Sequence, residues 1–383
     1  MKNGWQTKTL DQISTNLDSR RVPITKGVRA VGEYPYYGAS GIVDYVAEYI
    51  FDENALLISE DGANLLARST PIAFPASGKY WVSNHAHILK FESLTTQRFV
   101  ELYLESIPLD DYVIGAAQPK LTQKALNSIP IPFPPLPEQQ RIVGILDEAF
   151  DGLATATVNA EQNLRNARAL FESHLQSVFT QRGKGWVEKR IGDVFDVGSS
   201  KRVFEKEWTP SGVPFYGGRE VVQLAQSGAV VSDAYISEER YRDIAAVYGV
   251  PQEGDILMTA RGTIGVGYVV KKSDKFYYKD GNLICLHPKT PTEPYFVLYA
   301  FRSKLIKDQL ATLTGATVTH LPIEKTNSLI LPFPDFHTQK RVVGDLRKLE
   351  SETQRLEAIY QQKLAALGEL KKSLLHQAFS GQL

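Results

Sequence analysis

The sequence is poor in cysteine, in net charge and in long apolar runs, and each shortage excludes a class of protein. Cys285 is the only cysteine among 383 residues, which excludes a disulfide framework and suits a reducing compartment. The 43 basic residues balance the 43 acidic ones, so any polyanion site must be a local patch. No apolar run approaches the roughly 20 residues that span a bilayer, and MKNGWQTKTL lacks the apolar core of a signal peptide. We therefore expect a cytoplasmic protein.

The sequence also lacks the common catalytic signatures, because it has no G-x-x-x-x-G-K-[ST] phosphate loop, C-x-x-C pair or H-E-x-x-H motif. Two short stretches stay open as chemical sites. His85 and His87 could be two metal ligands, but no third ligand is evident, and we expect no metal. Glu60 and Asp61 could be paired carboxylates, although Asp-Gly after a predicted strand favours an ordinary turn.

The chain contains two copies of one sequence unit. At a shift of 200 residues, Pro132-Phe133-Pro134 falls on Pro332-Phe333-Pro334, and RIVG from Arg141 falls on RVVG from Arg341. The shift drifts further upstream, where YPYYGAS from Tyr34 still resembles VPFYGGR from Val213. A repeat of this length indicates duplicated domains rather than solenoid modules.

Each copy begins with short runs rich in Val, Ile, Tyr and Phe between turn residues, which predict strands in a mixed α and β domain. The predicted strands are YVAEYIF, ALLISEDG and HAHILKF in copy one, and GAVVSDAYI, GDILMTARG, GVGYVVKK and NLICLHP in copy two. Short helices are predicted around 97–106 and 294–310. The prolines before Glu138 predict an extended arm up to Pro137.

Long helices are predicted to follow, over about 138–180 and 338–380. In the second helix, apolar residues at three-four spacing from Val342 to Ala378 predict a coiled-coil seam. At about 1.5 Å per residue each helix is roughly 60 Å long, too long to be covered by its own domain. We therefore expect each long helix to pack against the other.

Polar and basic loop residues are the candidate nucleic-acid contacts, because hydroxyl groups beside Arg and Lys suit phosphates. One such cluster lies early in copy one, and a second lies at the corresponding place in copy two. A turn that occurs twice, GAAQPKLT and GATVTHLP, carries different side chains in the two copies, and an Arg at a strand-to-turn corner suits a bidentate base contact. The predicted DNA-binding residues are Arg20, Arg21, Lys26, Arg29, Gln118, Lys120, Ser199, Lys201, Arg202, Arg219, Arg261, Thr317, Thr319 and His320.

The duplicated proline and PEQQRIV junction between variable α/β domains and long helices resembles the specificity (HsdS) subunit of type I restriction-modification enzymes. The stretches YPYYGASGIV, IPIPFPPLPEQQRIVGILD and LKKSLLHQAFSGQL all fit this family, and the resemblance covers essentially the whole chain. The second junction departs from it, since DFHTQK from Asp335 replaces the usual P-L-P-E-Q-Q. The resemblance implies an α+β fold with two pseudo-repeated α/β target recognition domains, at 1–130 and 184–330. Proline arms and two long antiparallel coiled-coil helices, at 131–183 and 331–383, would separate them.

The resemblance further implies a subunit without catalytic residues that recognises a bipartite, asymmetric site in double-stranded DNA. Its expected partners are methyltransferase (HsdM) subunits and the restriction (HsdR) subunit, with no membrane. The chain itself would bind no cofactor, and S-adenosylmethionine, ATP and Mg²⁺ are expected on the partner subunits. Two alternatives are a coiled-coil scaffold without specific DNA binding and a self-contained nuclease. Salt-dependent DNA binding would separate the scaffold from the specificity subunit.

Overall fold

The computed structural model describes residues 4–115, 117–314 and 320–383, which form two compact units. Unit one comprises Met1–Glu161 and Gln361–Leu383, and unit two comprises Gln162–Tyr360. We call the described residues within 4–133 domain one and those within 187–333 domain two. Each domain is followed by one long helix. Among the described residues, no helix is both long and apolar enough to cross a membrane.

Domain one is built from short strands and helices. Its strands are β1 (Gln6–Thr9), β2 (Thr15–Asn16), β3 (Val31–Gly38), β4 (Gly41–Val46), β5 (Phe51–Asp52), β6 (Ala55–Ser59), β7 (Ala73–Ala76), β8 (Lys79–Val82), β9 (Ala86–Lys90), β10 (Val113–Ile114), β11 (Lys120–Leu121) and β12 (Pro130–Phe133). Its helices are α1 (Leu10–Ile13), α2 (Asn64–Ala67), α3 (Leu94–Ser106) and α4 (Gln123–Asn127), with 3-10 turns at Asp18–Arg20 and Lys26–Val28. The long helix α5 (Leu136–Gln181) follows.

Domain two follows a similar plan, and its described residues form six short helices where those of domain one form four. Its strands are β13 (Val187–Arg190), β14 (Phe195–Gly198), β15 (Trp208–Thr209), β16 (Val213–Tyr216), β17 (Tyr235–Ile236), β18 (Ile256–Thr259), β19 (Gly267–Val269), β20 (Tyr277–Tyr278), β21 (Leu283–Pro288) and β22 (Ile330–Phe333). Its helices are α6 (Ile191–Val194), α7 (Gly218–Ser227), α8 (Glu238–Tyr248), α9 (Pro294–Arg302), α10 (Lys304–Thr314) and α11 (Ile323–Ser328), with a 3-10 turn at Glu205–Glu207. The long helix α12 (Phe336–Ser380) closes the described chain.

Two four-stranded sheets form the body of each domain. Their orders are β2-β9-β6-β7 and β4-β3-β8-β5 in domain one, and β14-β21-β18-β19 and β15-β17-β16-β20 in domain two. The central strands β6 and β18 are buried along their whole length, as expected of apolar runs covered on both faces. The first sheet of each domain is antiparallel, while the pairs β3 with β8 and β16 with β20 are parallel.

Two of the predicted strands are wrong in large part. The segment YVAEYIF spans the end of β4 and the beginning of β5 rather than one strand, and in GAVVSDAYI only the last two residues form a strand. The second segment begins at Gly228, which caps the end of α7 with a positive φ of 72°. The helix predicted over 294–310 is two helices, α9 and α10, separated by the buried Ser303.

The proline arms are the last strands of the two domains. Strand β12 pairs antiparallel with β1, and β22 pairs antiparallel with β13. The long helices begin at Leu136 and Phe336, 200 residues apart and two residues before the predicted starts. Pro137 therefore lies in the first turn of α5, where its missing N–H costs no intrahelical hydrogen bond.

A buried glutamine ties each long helix to its own domain. The Gln139 side chain donates to the Pro134 carbonyl at 2.8 Å and accepts from the Thr96 hydroxyl at 2.9 Å. Gln339 donates to the Pro334 carbonyl at 2.9 Å and accepts from the Glu293 backbone N–H at 3.0 Å. These contacts fix the angle at which each helix leaves its proline arm, in spite of the different sequence at the second junction.

The long helices run antiparallel within each unit, as predicted. In unit one, the Arg141 guanidinium near the start of α5 donates to the Leu383 carbonyl at 2.8 Å. In unit two, Arg168 near the end of α5 pairs with Glu357 on α12 at 2.9 Å. The predicted seam is uneven, because Leu346 is fully buried while Leu370 is 48% exposed.

Candidate nucleic-acid interface

Three segments of domain one meet where β6 ends, and we call them corner one (residues 59–62, 85 and 118–121). The Leu121 N–H donates to the Glu60 carbonyl at 2.8 Å, and the Glu60 N–H donates to the His85 carbonyl at 2.9 Å. Asp61 and Lys120 form an isolated antiparallel bridge. Gly62 turns the chain away with a φ of 110°, a conformation that favours glycine.

The same backbone arrangement recurs in domain two, and we call it corner two (residues 259–262, 282 and 320–321). The Leu321 N–H donates to the Ala260 carbonyl at 2.7 Å, and the Ala260 N–H donates to the Asn282 carbonyl at 2.8 Å. Arg261 and His320 form the isolated bridge. The shift of 200 residues therefore holds at this corner as well, and it makes Asp61 the counterpart of Arg261.

The two corners present different side chains on this common backbone. At corner one, the Asp61 carboxylate contacts His85 Nδ1 at 2.8 Å, and both side chains are partly exposed. Gln118 is exposed, and Lys120 Nζ lies 3.1 Å from the Glu60 carboxylate. At corner two, Arg261 is exposed and has no hydrogen-bond or ion-pair partner among the residues that the structure describes.

Arg261 lines a cleft of about 510 Å³ together with Arg219, Thr263 and Asn282. Arg219 is 69% exposed and forms ion pairs with Asp233 and with Glu220, the latter at 2.9 Å. The structure thus brings two of the sequence-predicted arginines to one cleft beside His320. Thr317 and Thr319 of the same predicted turn lie outside the described residues.

Most of the predicted basic cluster of domain one is engaged in internal contacts. Arg21 is 14% exposed and pairs with Glu60 at 2.5 Å, while Arg20 pairs with Glu53 at 2.6 Å. Arg29 pairs with Asp44 at 3.0 Å and lies over a tyrosine ring. Lys26 is exposed. The geometry argues against phosphate contacts by Arg21 and Arg29, because their guanidinium groups are already occupied and largely covered.

The corresponding cluster of domain two is more accessible. Arg202 is 64% exposed and pairs with Asp280 at 2.8 Å, and the Lys201 ammonium lies 5.2 Å from the centre of the exposed Tyr248 ring. The Ser199 hydroxyl contacts the Leu283 carbonyl at 3.4 Å. The cluster occupies the predicted equivalent place, since β2 and β14 pair alike with β9 and β21.

Asp18, Glu60 and His87 in domain one bring three potential ligand atoms within 4.8 Å of one another. However, Arg21 and Lys120 contact Glu60, and the two ring nitrogens of His87 contact Asp18 at 2.5 Å and the Leu121 carbonyl at 2.8 Å. Fixed cations at this distance repel a metal ion, so the arrangement suits a salt-bridge network. His85 and His87 face different carboxylates and do not form one ligand pair.

The network keeps two buried carboxyl groups ionised. Burial raises the pKa of Asp18, but hydrogen bonding and charge from His87, the Ile88 N–H and the charge of Arg21 outweigh it, so its pKa lies below the ordinary value. Burial likewise raises the pKa of Glu60, and hydrogen bonds from Arg21 and Lys120 bring the net pKa below the ordinary value.

Asp61 and His85 are interface candidates that are not among the predicted DNA-binding residues. In the sequence, Asp-Gly indicates a turn at Asp61, and His85 is a candidate metal ligand only. The missing signal was the register: SEDG from Ser59 and TARG from Thr259 are 200 residues apart, the same shift as the junctions. His85 cannot be matched to Asn282 by this shift, because the segment between β18 and β21 is shorter than the segment between β6 and β9.

Comparisons with known proteins agree with this architecture. The family model for the type I restriction modification DNA specificity domain matches residues 2–164 and 183–365. A Haemophilus influenzae protein provisionally named as the type I restriction enzyme specificity subunit S.HindORF215P is 31% identical over 351 residues, covering 90% of this chain and 88% of that protein. The MjaVIII specificity subunit of Methanocaldococcus jannaschii is 20% identical over 99% of this chain and 93% of its own length.

Two solved structures share the fold over the whole chain. The HsdS subunit from Thermoanaerobacter tengcongensis matches with a TM-score of 0.62 and 16% identity, covering 100% of this chain and 98% of that one. A chain from a structure concerning complex assembly and conformational transition of the type I R-M system matches with a TM-score of 0.70 and 17% identity, covering 100% and 99%. The chain therefore belongs to the type I restriction-modification specificity subunits, which are not catalytic.

Proposed function

We propose that the chain recognises a bipartite, asymmetric site in double-stranded DNA, with one half-site bound by each domain. The observation that carries this proposal is the pair of corners, in which one backbone arrangement presents different side chains. Corner one offers Asp61, Gln118 and Lys120, whereas corner two offers Arg261 and His320. Two copies of one framework with different polar side chains suit two different short base sequences.

Exposed cations in the two basic clusters support a role in holding the DNA backbone. Lys26 and Arg20 in domain one, and Lys201 and Arg202 in domain two, keep exposed side chains. Such groups bind phosphates without reading sequence, and they position the side chains that contact base edges. In the absence of net charge on the chain, these local groups must supply the salt-dependent part of binding.

The long helices would set the distance between the half-sites and hold the partner subunits. We propose methyltransferase (HsdM) and restriction (HsdR) subunits as those partners, which would bring S-adenosylmethionine, ATP and Mg²⁺. The chain would act in the cytoplasm, where it has access to the genome. The buried glutamines at both helix starts support this role, because a spacer works only if each domain leaves it at a fixed angle.

Methylation mapping tests the proposal. The chain is combined with its methyltransferase subunits and S-adenosylmethionine, and modified bases are located across genomic DNA. We expect two short defined segments separated by a fixed number of unspecified base pairs. A continuous motif would contradict the division between two domains, and an absence of any sequence preference would contradict specific recognition.

Binding by the chain alone separates this function from that of a protein scaffold. The affinity for duplex DNA should fall steeply as the salt concentration rises, because bound phosphates release counterions. The purified chain with DNA, Mg²⁺, ATP and S-adenosylmethionine should neither cut nor methylate. Affinity that does not depend on salt, or no binding with or without the methyltransferase subunits, would favour the scaffold.

A further inference from the structure

Asp61 occupies the place in domain one that Arg261 occupies in domain two. Each is the second residue after a buried central strand, each is followed by a glycine of positive φ, and each forms the isolated bridge to the turn that occurs twice. The equivalence rests on matching backbone hydrogen bonds and on the register of 200 residues. The two domains therefore present side chains of opposite charge from one point of the same framework.

The fold of the corner gives no reason for an acidic residue at this position. The turn requires Gly62, whose φ is 110°. The carboxylate of Asp61 accepts no backbone hydrogen bond from the described residues, and the neighbouring cation Lys120 pairs with Glu60 instead. The Asp61 contact is with His85 Nδ1, at 2.8 and 3.0 Å from its two oxygens. This contact fixes the direction of a carboxylate whose side chain remains 33% exposed.

A fixed carboxylate on a DNA-binding surface faces a specific requirement. Phosphates repel it, so it is tolerated only where a hydrogen-bond donor of the DNA meets it. In the major groove the donors are the exocyclic amino groups, N4 of cytosine and N6 of adenine. An arginine at the same point matches the opposite pattern, the O6 and N7 acceptors of guanine.

We propose that Asp61 is a specificity-determining residue of domain one, that it accepts a hydrogen bond from a base amino group, and that His85 is its positioning residue. The proposal deepens the DNA-reading function proposed above and rests on it. Arg261 then supplies the complementary readout in domain two. The charge of one residue at each corner thus decides whether the base contacted at the equivalent position offers a hydrogen-bond donor or hydrogen-bond acceptors.

The test is a binding selection with the complex of this chain and its methyltransferase subunits. Duplex libraries randomise one half-site at a time, and bound duplexes are sequenced for the wild type and for the Asp61→Ala and Asp61→Arg variants. We expect Asp61→Ala to lose roughly 5- to 150-fold of discrimination at one base pair of the domain-one half-site. A G·C pair at that position assigns cytosine N4, and an A·T pair assigns adenine N6.

Asp61→Arg should favour guanine at the same position on the strand that Asp61 contacts, while the domain-two half-site stays unchanged as the internal control. His85→Asn, which installs the residue found at corner two, should lower discrimination at that one position and keep the preferred base. A purely structural role of His85 would instead lower binding to all library members equally. An equal loss of this kind would overturn the positioning role.

Unchanged preferences in both Asp61 variants, beside a wild type that selects a bipartite site, would overturn this proposal and leave the proposed function intact. A wild type that selects no sequence would overturn the proposed function itself. If the Asp61 variants do not fold, the reciprocal Arg261→Asp variant decides. It should shift one base pair of the domain-two half-site, and a retained guanine there would overturn the proposal.

Discussion

The two domains share a backbone plan but differ in what lies beneath their basic loops. In domain one, Asp18, Glu60 and His87 form a buried charged network with Arg21. In domain two, strand pairing puts Ser199, Ala260 and Ile284 at the positions of Asp18, Glu60 and His87. The difference shows that a basic loop residue in one copy need not do what its counterpart does in the other.

The comparison separates framework from recognition. Arg21 pairs with Glu60 in the internal network and is largely covered, whereas its counterpart Arg202 keeps a 64% exposed side chain. At the two corners the residue type differs and the backbone does not: the backbone hydrogen bonds are the same, while Asp61 and Arg261 differ in charge. Side chains that vary above a constant backbone are candidates for recognition, and side chains that contact buried charges are candidates for stability.

The largest effect is expected from the loss of Arg21. Arg21→Ala leaves Asp18 and Glu60 buried with less positive charge, which should destabilise domain one by about 3 kcal/mol. The matched control Arg202→Ala breaks an exposed pair and should cost about 0 to 1 kcal/mol in domain two. Hydrogen exchange at the amides of β9 and β21 measures the stability of domain one and of domain two separately. A loss of stability in Arg21→Ala as small as that in Arg202→Ala would show that the network does not stabilise domain one.

The two buried glutamines should be equally sensitive to truncation. Gln139→Ala removes the side-chain donor to the Pro134 carbonyl and the acceptor of the Thr96 hydroxyl. Gln339→Ala likewise removes the donor to the Pro334 carbonyl and the acceptor of the Glu293 N–H. Each should cost about 1 to 3 kcal/mol, whereas the exposed neighbour Gln140→Ala should stay within about 0.5 kcal/mol. Hydrogen exchange at the starts of α5 and α12 measures this loss of stability. A loss found for only one of the two variants would show that the two junctions are not equivalent.

Acid should open domain one before domain two. The folded pKa values of Asp18 and Glu60 are lowered, so their stabilisation is complete above the ordinary carboxyl range, about pH 4, and is lost as the pH falls through the folded values. Brief pepsin digestion at decreasing pH, with cleavage sites mapped by mass spectrometry, should cut first within residues 4–115. Earlier cleavage in domain two would contradict the stabilising role of the network.

The smallest effect on stability is expected from Arg261. Because its side chain has no partner among the described residues, Arg261→Ala should change the free energy of unfolding by less than about 0.5 kcal/mol. It should still relax one base position of the methylation motif, at a cost of about 1 to 3 kcal/mol. A large loss of stability, or an unchanged motif, would show that the residue supports the cleft rather than reading a base.

The duplication and the long helices could be predicted from the sequence because they depend on local patterns. The register of 200 residues fixes both helix starts, and the prolines and apolar spacing place each of them within two residues. The strand character of the proline arms could not be predicted from these patterns. It depends on pairing with β1 and β13, which lie more than 100 residues earlier in the chain.

The site was predicted only in part, because exposure depends on tertiary contacts. In the sequence, Arg21 and Arg261 are both arginines in predicted loops, and nothing distinguishes their exposure. Arg21 is covered because it pairs with Glu60, which lies 39 residues away, and no local sequence pattern predicts this pairing. The role of Asp61 is hard to predict for a related reason. Asp-Gly is a common turn signal, and the match with Arg261 needs the register of 200 residues together with the backbone bonds of Glu60 to residues 85 and 121.

The most direct test of the central proposal, that the helices set the distance between two independent DNA readers, is to lengthen the helices. Since Arg168 faces Glu357, the residue opposite Tyr360 lies near Leu164, and about four residues, one turn, are inserted at each of these two places. Methylation mapping with the methyltransferase subunits then compares the lengthened chain with the wild type. The helices grow by roughly 6 Å, so the unspecified gap should increase by one or two base pairs of about 3.4 Å, with both half-sites unchanged. An active lengthened chain with the original gap, or with an altered half-site, would contradict the account.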